Sequence, residues 1–189
     1  MIKKAILFSL NSHGTQFRKD GTPYISHPIE VAIELARNGG NENLICAGLL
    51  HDTVEDAGIT EEQLKSEFNC EIAHLVSVDS EDKSKSWEER KTVFLNLLGR
   101  PGDIDHKMLV CADKLSNLRS LSDELTKSGD KVWSRFKRGK DLQKWLAVET
   151  VRALAPLDDM PMYTELKQLT DEIFNGIKEN DGNGNIGNP

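Results

Sequence analysis

The sequence predicts an all-α fold, a helical bundle, and three observations predict it. Helix-starting residues recur along the chain, with Ser26, Thr60 and Ser86 each standing just before a helical stretch. Apolar residues repeat at spacings of three and four. No segment shows the period-two run of β-branched residues that marks a strand. A chain of 189 residues is long enough to bury one core, so one domain is expected.

The elements follow in order. The opening stretch "MIKKAILFSLNSHG" imitates a signal peptide with two lysines and an apolar run. The run is short and no small-residue cleavage site follows, so it is expected to belong to the folded chain. In "SHPIEVAIELARNGG", Ser26 stands as the N-cap, Pro28 in the first turn and Gly39 as the stop. Ile29, Ala32, Ile33 and Ala36 are spaced to form its buried face. "NLICAGLLHDTVEDAG" reads as one helix ended by Gly58. "TEEQLKSEFN" and "SWEERKTVFLNLLG" carry capping boxes, Thr60 with Gln63 and Ser86 with Glu89. "HLVSVDS" reads as a helix end, and the polar segment 78–86 as a mobile loop. "DIDHKMLVCADKLSNLRSL" predicts a longer apolar helix, and "GKDLQKWLAVETVRALAP" and "MYTELKQLTDEIFNGIK" predict the last two. The domain is expected over 1–160, with a helix at 161–178 packing on it. The Asn- and Gly-rich residues 179–189 are expected to be a disordered tail.

Composition excludes several classes. Hydrophobic residues at 38% and charged residues at 29% describe a soluble globular chain rather than a disordered one. The formal net charge of −7 argues against a nucleic-acid or membrane-surface binder. It leaves room for an anionic small molecule, which needs only a local basic cluster. No apolar stretch approaches the length of a membrane span. Cys46, Cys70 and Cys111 form no C-x-x-C pair, and each sits in an apolar context as a small hydrophobe. A reducing cytoplasm fits.

The chemistry gathers in "LLHDTVEDAG", residues 49–58. His51, Asp52, Glu55 and Asp56 share neighbouring parts of one helix surface. Three carboxylates at a helix C-terminus repel one another and the helix dipole, so a positive partner is required. The plainer alternative is a solvated acidic helix end with a chance histidine. Two distant residues weigh against it: His27 opens the preceding helix, and Asp113 follows five apolar or small residues. A carboxylate in so apolar a helix is costly unless it is paired or metal-bound. Two imidazoles with two carboxylates suit Mn, Fe, Zn or Ni better than Ca. Asp113, Asn117 and Ser120, at i, i+4 and i+7, make a polar stripe fit to line a pocket. Ordinary helix hydrogen bonding is the alternative for that stripe.

The blocks "HGTQFRKDGTPYISHPIEVA", "AGLLHDTVEDAGIT" and "VCADKLSNLRSL", in this order, resemble the HD hydrolase domain of the RelA/SpoT homologue superfamily. In size the chain is most similar to its single-domain branch, the small alarmone hydrolases. The resemblance covers about residues 5–155 and implies an HD-domain helical bundle. It implies metal-dependent removal of pyrophosphate from the 3′ position of (p)ppGpp, giving GDP or GTP, with Mn²⁺ as the usual metal. Carried over by motif, His27, His51, Asp52 and Asp113 would be the metal ligands, and Glu55 and Asp56 the catalytic acidic pair. Arg18 and Lys19 would pack near the guanine base, and Asn117 and Ser120 would contact the nucleoside. Lys83 or Lys85 would reach phosphate from the 78–86 loop, and Arg138 or Lys140 would reach the 5′ phosphates. Cys111 and Ser116 stand where the long enzymes usually carry Leu and His. The chain is expected to lack the room for a synthetase domain.

Other residues are expected in plainer roles. His13 reads as packing or a hydrogen bond beneath the site, and His74 and His106 as structural or solvated. Tyr24 either lines the pocket or braces the "GTPY" turn. Trp87, Trp133 and Trp145 read as packing groups, with Trp145 at the pocket border. Two rival functions remain at this level. One is an HD phosphohydrolase for another nucleotide, such as a nucleoside monophosphate or NADPH. The other is a nucleotide-binding or antitoxin module without turnover, against which the acidic pair argues.

Overall fold

The computed structural model describes residues 1–78 and 84–176. The expectations for Lys83, for most of the 78–86 loop, for helix residues 177–178 and for the tail at 179–189 lie outside the described residues. Within the described residues the architecture is all-helical, with one isolated antiparallel bridge between Phe17 and Pro23.

Helices α1 (Ile2–His13), α2 (Ser26–Arg37) and α3 (Glu42–Leu50) form the first layer. Helix α3 is their hub, because Cys46, Ala47 and Gly48 are small enough to let neighbouring backbones approach. A Cβ on Gly48 would lie 2.7 Å from Leu35 Cδ1 and 3.4 Å from Ala32 Cα. The Asn41 side chain caps α3 by accepting from the Leu44 amide at 2.9 Å.

The short helices α4 (Thr53–Ala57), α5 (Glu61–Glu67) and α6 (Cys70–Ser77) follow, then α7 (Trp87–Leu98). Both capping boxes form as the sequence indicates, at Thr60 with Gln63 and Ser86 with Glu89. The long helix α8 (Ile104–Ser128) has 25 residues, about 37 Å at the helical rise, and runs through the bundle. A 3₁₀ turn at Gly129–Arg135 leads to α9 (Gly139–Ala153), and α10 (Pro161–Asn175) packs back on α8 and α9. No helix among the described residues is long and apolar enough to cross a membrane.

Four expectations need correction. Helix α2 buries Pro28, Val31, Ala32 and Leu35 rather than Ile29, Ala32, Ile33 and Ala36; Ile29 and Ile33 are exposed. Both stripes obey the helical period, and the close approach to Gly48 selects the one containing Val31 and Leu35. Ser26 is not the cap: Ile25 holds that position, and Ser26 Oγ donates to the Pro23 carbonyl at 2.9 Å. Cys46 and Cys111 are buried, and burial pushes the Cys111 thiol up to about 12. Cys70 is exposed, because it occupies the first turn of α6 beside the capping Asn69.

The fourth correction matters most. Residues 42–57 are two helices rather than one. Helix α3 stops at Leu50, His51 and Asp52 form a turn, and α4 begins at Thr53. Side chains take carbonyls at the break: Thr53 Oγ1 donates to Leu50 O at 2.6 Å, and His51 Nδ1 bonds Gly48 O at 2.9 Å. Glu55 and Asp56 therefore lie in the first turn of α4, where a helix favours negative charge, and Gly58 ends α4 with a left-handed φ of 68°.

Candidate active site

Three segments, α2, α8 and the turn after α3, deliver four side chains to a single point. His27 comes from the first turn of α2, His51 and Asp52 from the α3–α4 turn and Asp113 from α8. His27 Nε2 lies 3.2 Å from His51 Nε2, 3.2 Å from Asp113 Oδ1 and 3.5 Å from Asp52 Oδ2. His51 Nε2 lies 3.2 Å from Asp52 Oδ2 and 3.7 Å from Asp113 Oδ1. The tightest group is His27, His51 and Asp113, whose ligand atoms all fall within 4.8 Å of one another. Asp52 joins it through both imidazoles.

The outer nitrogens set the chemistry of the inner ones. His51 Nδ1 faces the Gly48 carbonyl, which can only accept, so this nitrogen carries hydrogen. Ser116 Oγ donates to Glu30 Oε2 at 2.7 Å and therefore accepts from His27 Nδ1 at 2.9 Å. In the neutral imidazoles both Nε2 atoms then present lone pairs to each other and to two carboxylates. Four electron-rich atoms so close require a cation between them or a proton. The donor set, two nitrogens and two carboxylate oxygens, fits a divalent transition metal. Ser116 thus orients His27.

Charges around the cluster agree. Burial opposes charge on His51, but the Asp52 and Asp113 carboxylates outweigh it and hold its pKa well above the ordinary histidine value. Burial likewise opposes charge on Asp113, and the Lys114 ammonium with the two imidazoles holds its carboxyl well below the usual range. Asp52 is depressed in the same way, burial being overcome chiefly by His51. A proton on His51 and a divalent cation are thus alternative ways of neutralising the same two carboxylates.

His27, Asp52 and Asp113 form the floor of a cavity of about 450 Å³, whose lining His51 does not join. Its walls carry Arg18, Lys19, Lys114 and Arg135 with Asp20 and Glu124, the stripe Asn117 and Ser120, and an apolar side that includes Leu121, Phe136, Leu146 and Phe174. Arg18 Nη2 donates to Asn117 Oδ1 at 2.8 Å, and Asn117 Nδ2 donates to Asp113 Oδ1 at 2.6 Å, so the stripe links wall to floor. Lys19 Nζ stands over the Phe136 ring, 5.4 Å from its centre. Helix α10 supplies Leu166, Thr170 and Phe174, so it helps to shape the cavity.

The expected residues do not all meet here. Glu55 and Asp56 are exposed on α4, outside the cavity lining; Asp56 Oδ2 is joined to the cluster by Tyr24 Oη at 2.7 Å. Arg138 also lies outside the lining and pairs with Glu88, its Nε 3.3 Å from Oε1. His13 is buried and stacks on Tyr24, His106 is buried and His74 is exposed. Trp133 is a packing group, while Trp145 is partly exposed against Trp87. Lys114 and Arg135 escaped the sequence reading. Arg135 stands three residues before Arg138 in the same basic run, and only the fold tells which of the two faces inward. Lys114 follows Asp113 directly, a contact at 2.6 Å that adjacency alone does not imply.

An all-α bundle with a histidine–aspartate cluster suited to a metal at the base of a cavity defines the class of this protein. The chain belongs to the HD domain family, whose model matches residues 5–141. It is 36% identical over 171 residues to mouse guanosine-3′,5′-bis(diphosphate) 3′-pyrophosphohydrolase MESH1, covering 87% of this chain and 90% of that one. It is 34% identical over 187 residues to a GTP pyrophosphokinase of Myxococcus xanthus, covering 94% of this chain and 23% of that protein. The chain spans about a fifth of the length of the long bacterial relatives it matches. Among solved structures it is similar to a metazoan ortholog of SpoT described as hydrolysing ppGpp. That likeness has a TM-score of 0.72 and 26% identity, over 93% of this chain and 94% of that one.

Proposed function

We propose that this protein is a metal-dependent phosphohydrolase that removes the 3′-pyrophosphate of (p)ppGpp, leaving GDP or GTP. The observation that carries the reading is the convergence of His27, His51, Asp52 and Asp113, with both Nε2 lone pairs turned inward, at one end of a cavity whose walls carry Arg18, Lys19, Lys114 and Arg135. The relatives' activity on ppGpp supports the choice of substrate.

His27, His51, Asp52 and Asp113 would hold the cation, with Mn²⁺ the expected ion. When bound, such a cation acidifies a water and offsets charge growing on phosphorus. Glu55 and Asp56, on the turn beside the cluster, would orient that water and take its proton. Water adds to the phosphorus attached to O3′, the bond from that phosphorus to O3′ breaks, and O3′ takes up a proton as pyrophosphate leaves. Arg18, Lys19, Lys114 and Arg135 would hold the polyanion by charge-assisted hydrogen bonds, and the apolar side would take the base. The reaction belongs in the cytoplasm, where guanine nucleotides are made.

The test is to incubate metal-stripped protein with ppGpp, with and without Mn²⁺, and to measure GDP and pyrophosphate. Release only with Mn²⁺ is expected. Tight metal binding without release would overturn the substrate and point to another phosphorylated nucleotide.

A further inference from the structure

Tyr24 stands between the two halves of the proposed machinery. Its hydroxyl lies 2.7 Å from Asp52 Oδ2 and 2.7 Å from Asp56 Oδ2. A phenol has one hydrogen, which it shares or alternates between the two carboxylates, so both oxygens gather around one donor. The exposed Asp56 carboxylate has no other hydrogen-bond partner among the described residues.

The ring that carries this hydroxyl is itself held from several sides. It stacks on the buried His13 ring, centres 4.7 Å apart, and meets His27 edge-on at 6.1 Å. The Tyr24 amide donates to the Gln16 carbonyl at 2.9 Å, next to the bridge between Phe17 and Pro23. Gln16 in turn bonds His13 Nδ1 at 3.1 Å and donates to the Asp56 carbonyl at 3.3 Å. The 16–24 hairpin therefore grips α4 through both the side chain and the backbone of Asp56.

We propose that Tyr24 is a positioning residue: its hydroxyl orients Asp52 as a metal ligand and fixes Asp56 beside it. This rests on the metal site and acidic pair proposed above. Loss of such an outer hydrogen bond typically costs roughly 10- to 100-fold in metal affinity or activity.

The test is Tyr24→Phe, which removes the hydroxyl and keeps the stacked ring. Metal-stripped variant and parent are titrated with Mn²⁺ in the absence of nucleotide, and ppGpp turnover is then followed at saturating Mn²⁺. The expected result is Mn²⁺ affinity weaker by about 10- to 100-fold, with kcat lowered and KM within about threefold. A Kd for Mn²⁺ within twofold of the parent would overturn the proposal. Tyr24→Leu removes ring and hydroxyl together; a loss of affinity in Tyr24→Leu but not in Tyr24→Phe assigns the effect to packing and also overturns it. Because the Mn²⁺ titration contains no substrate, a parent protein that binds Mn²⁺ but leaves ppGpp intact counts against the substrate reading alone.

Discussion

At the floor of the cavity the outer ring nitrogens of His27 and His51 are held by Ser116 and the Gly48 carbonyl, whereas in its wall Arg18 Nη1 and Arg135 Nε are buried with no hydrogen-bond partner among the described residues. The two guanidiniums also feel each other: burial, and then the charge of Arg18, lower the pKa of Arg135, against the pull of Asp20. Glu124 pairs with one end of Arg135 and Asn117 with one end of Arg18, so each keeps donor capacity in reserve. The difference teaches how labour is divided. The floor is held in place before any ligand arrives, as a reaction centre needs. The wall leaves cationic donors short of acceptors, which a polyanion supplies; leaving them unmet carries a cost in the empty protein.

Asp113→Ala strikes the floor and has the largest expected effect. It should abolish tight Mn²⁺ binding and ppGpp hydrolysis together, read by metal titration and pyrophosphate release. Persistence of both would remove Asp113 from the floor. Glu55→Ala separates chemistry from metal binding. Mn²⁺ affinity should hold while kcat drops by about 100- to 10,000-fold, the usual worth of a general base. Unchanged kcat would give Glu55 a structural role.

Arg18→Ala tests the wall. A charge-assisted hydrogen bond is worth roughly 1.5–3 kcal/mol, so KM for ppGpp should rise by about 10- to 100-fold while Mn²⁺ affinity stays. A change in metal affinity instead would show that the wall and floor are one unit, coupled through Asn117. Gly48→Ala acts furthest from the ligand. Its new methyl meets Leu35 Cδ1 at 2.7 Å, and the overpacking should cost about 1–3 kcal/mol in denaturant unfolding. Because α2 carries His27 and α3 leads into His51, weaker Mn²⁺ binding should accompany the loss. Stability lost without any change in binding would show that the floor tolerates helix displacement.

Much of this was readable beforehand, for reasons specific to each residue. Capping boxes are local, so Thr60 with Gln63 and Ser86 with Glu89 formed where their spacing placed them. Asp113, Asn117 and Ser120 line the cavity together because α8 is regular and spacing alone sets its faces. Helix α2 shows the limit of that logic. Its residues offer two apolar stripes of equal period, and only contact with α3 decides that Val31 and Leu35 go inside. The break after Leu50 was equally hidden, since "ICAGLLHDTVED" has no Pro and no glycine at the break itself. It depends on side chains of His51 and Thr53 bonding carbonyls of their own chain.

By itself the sequence determined the helical class, most of the helix starts, and a candidate set of two imidazoles and four carboxylates, of which His27, His51, Asp52 and Asp113 come together at one point. These depend on residue type and near-neighbour spacing. Tertiary structure alone decided which face of α2 is buried, that Arg135 rather than Arg138 lines the cavity, and that Tyr24 joins Asp52 to Asp56. Each of those outcomes depends on atoms from segments far apart in the chain, and contact between them exists only once the helices have packed.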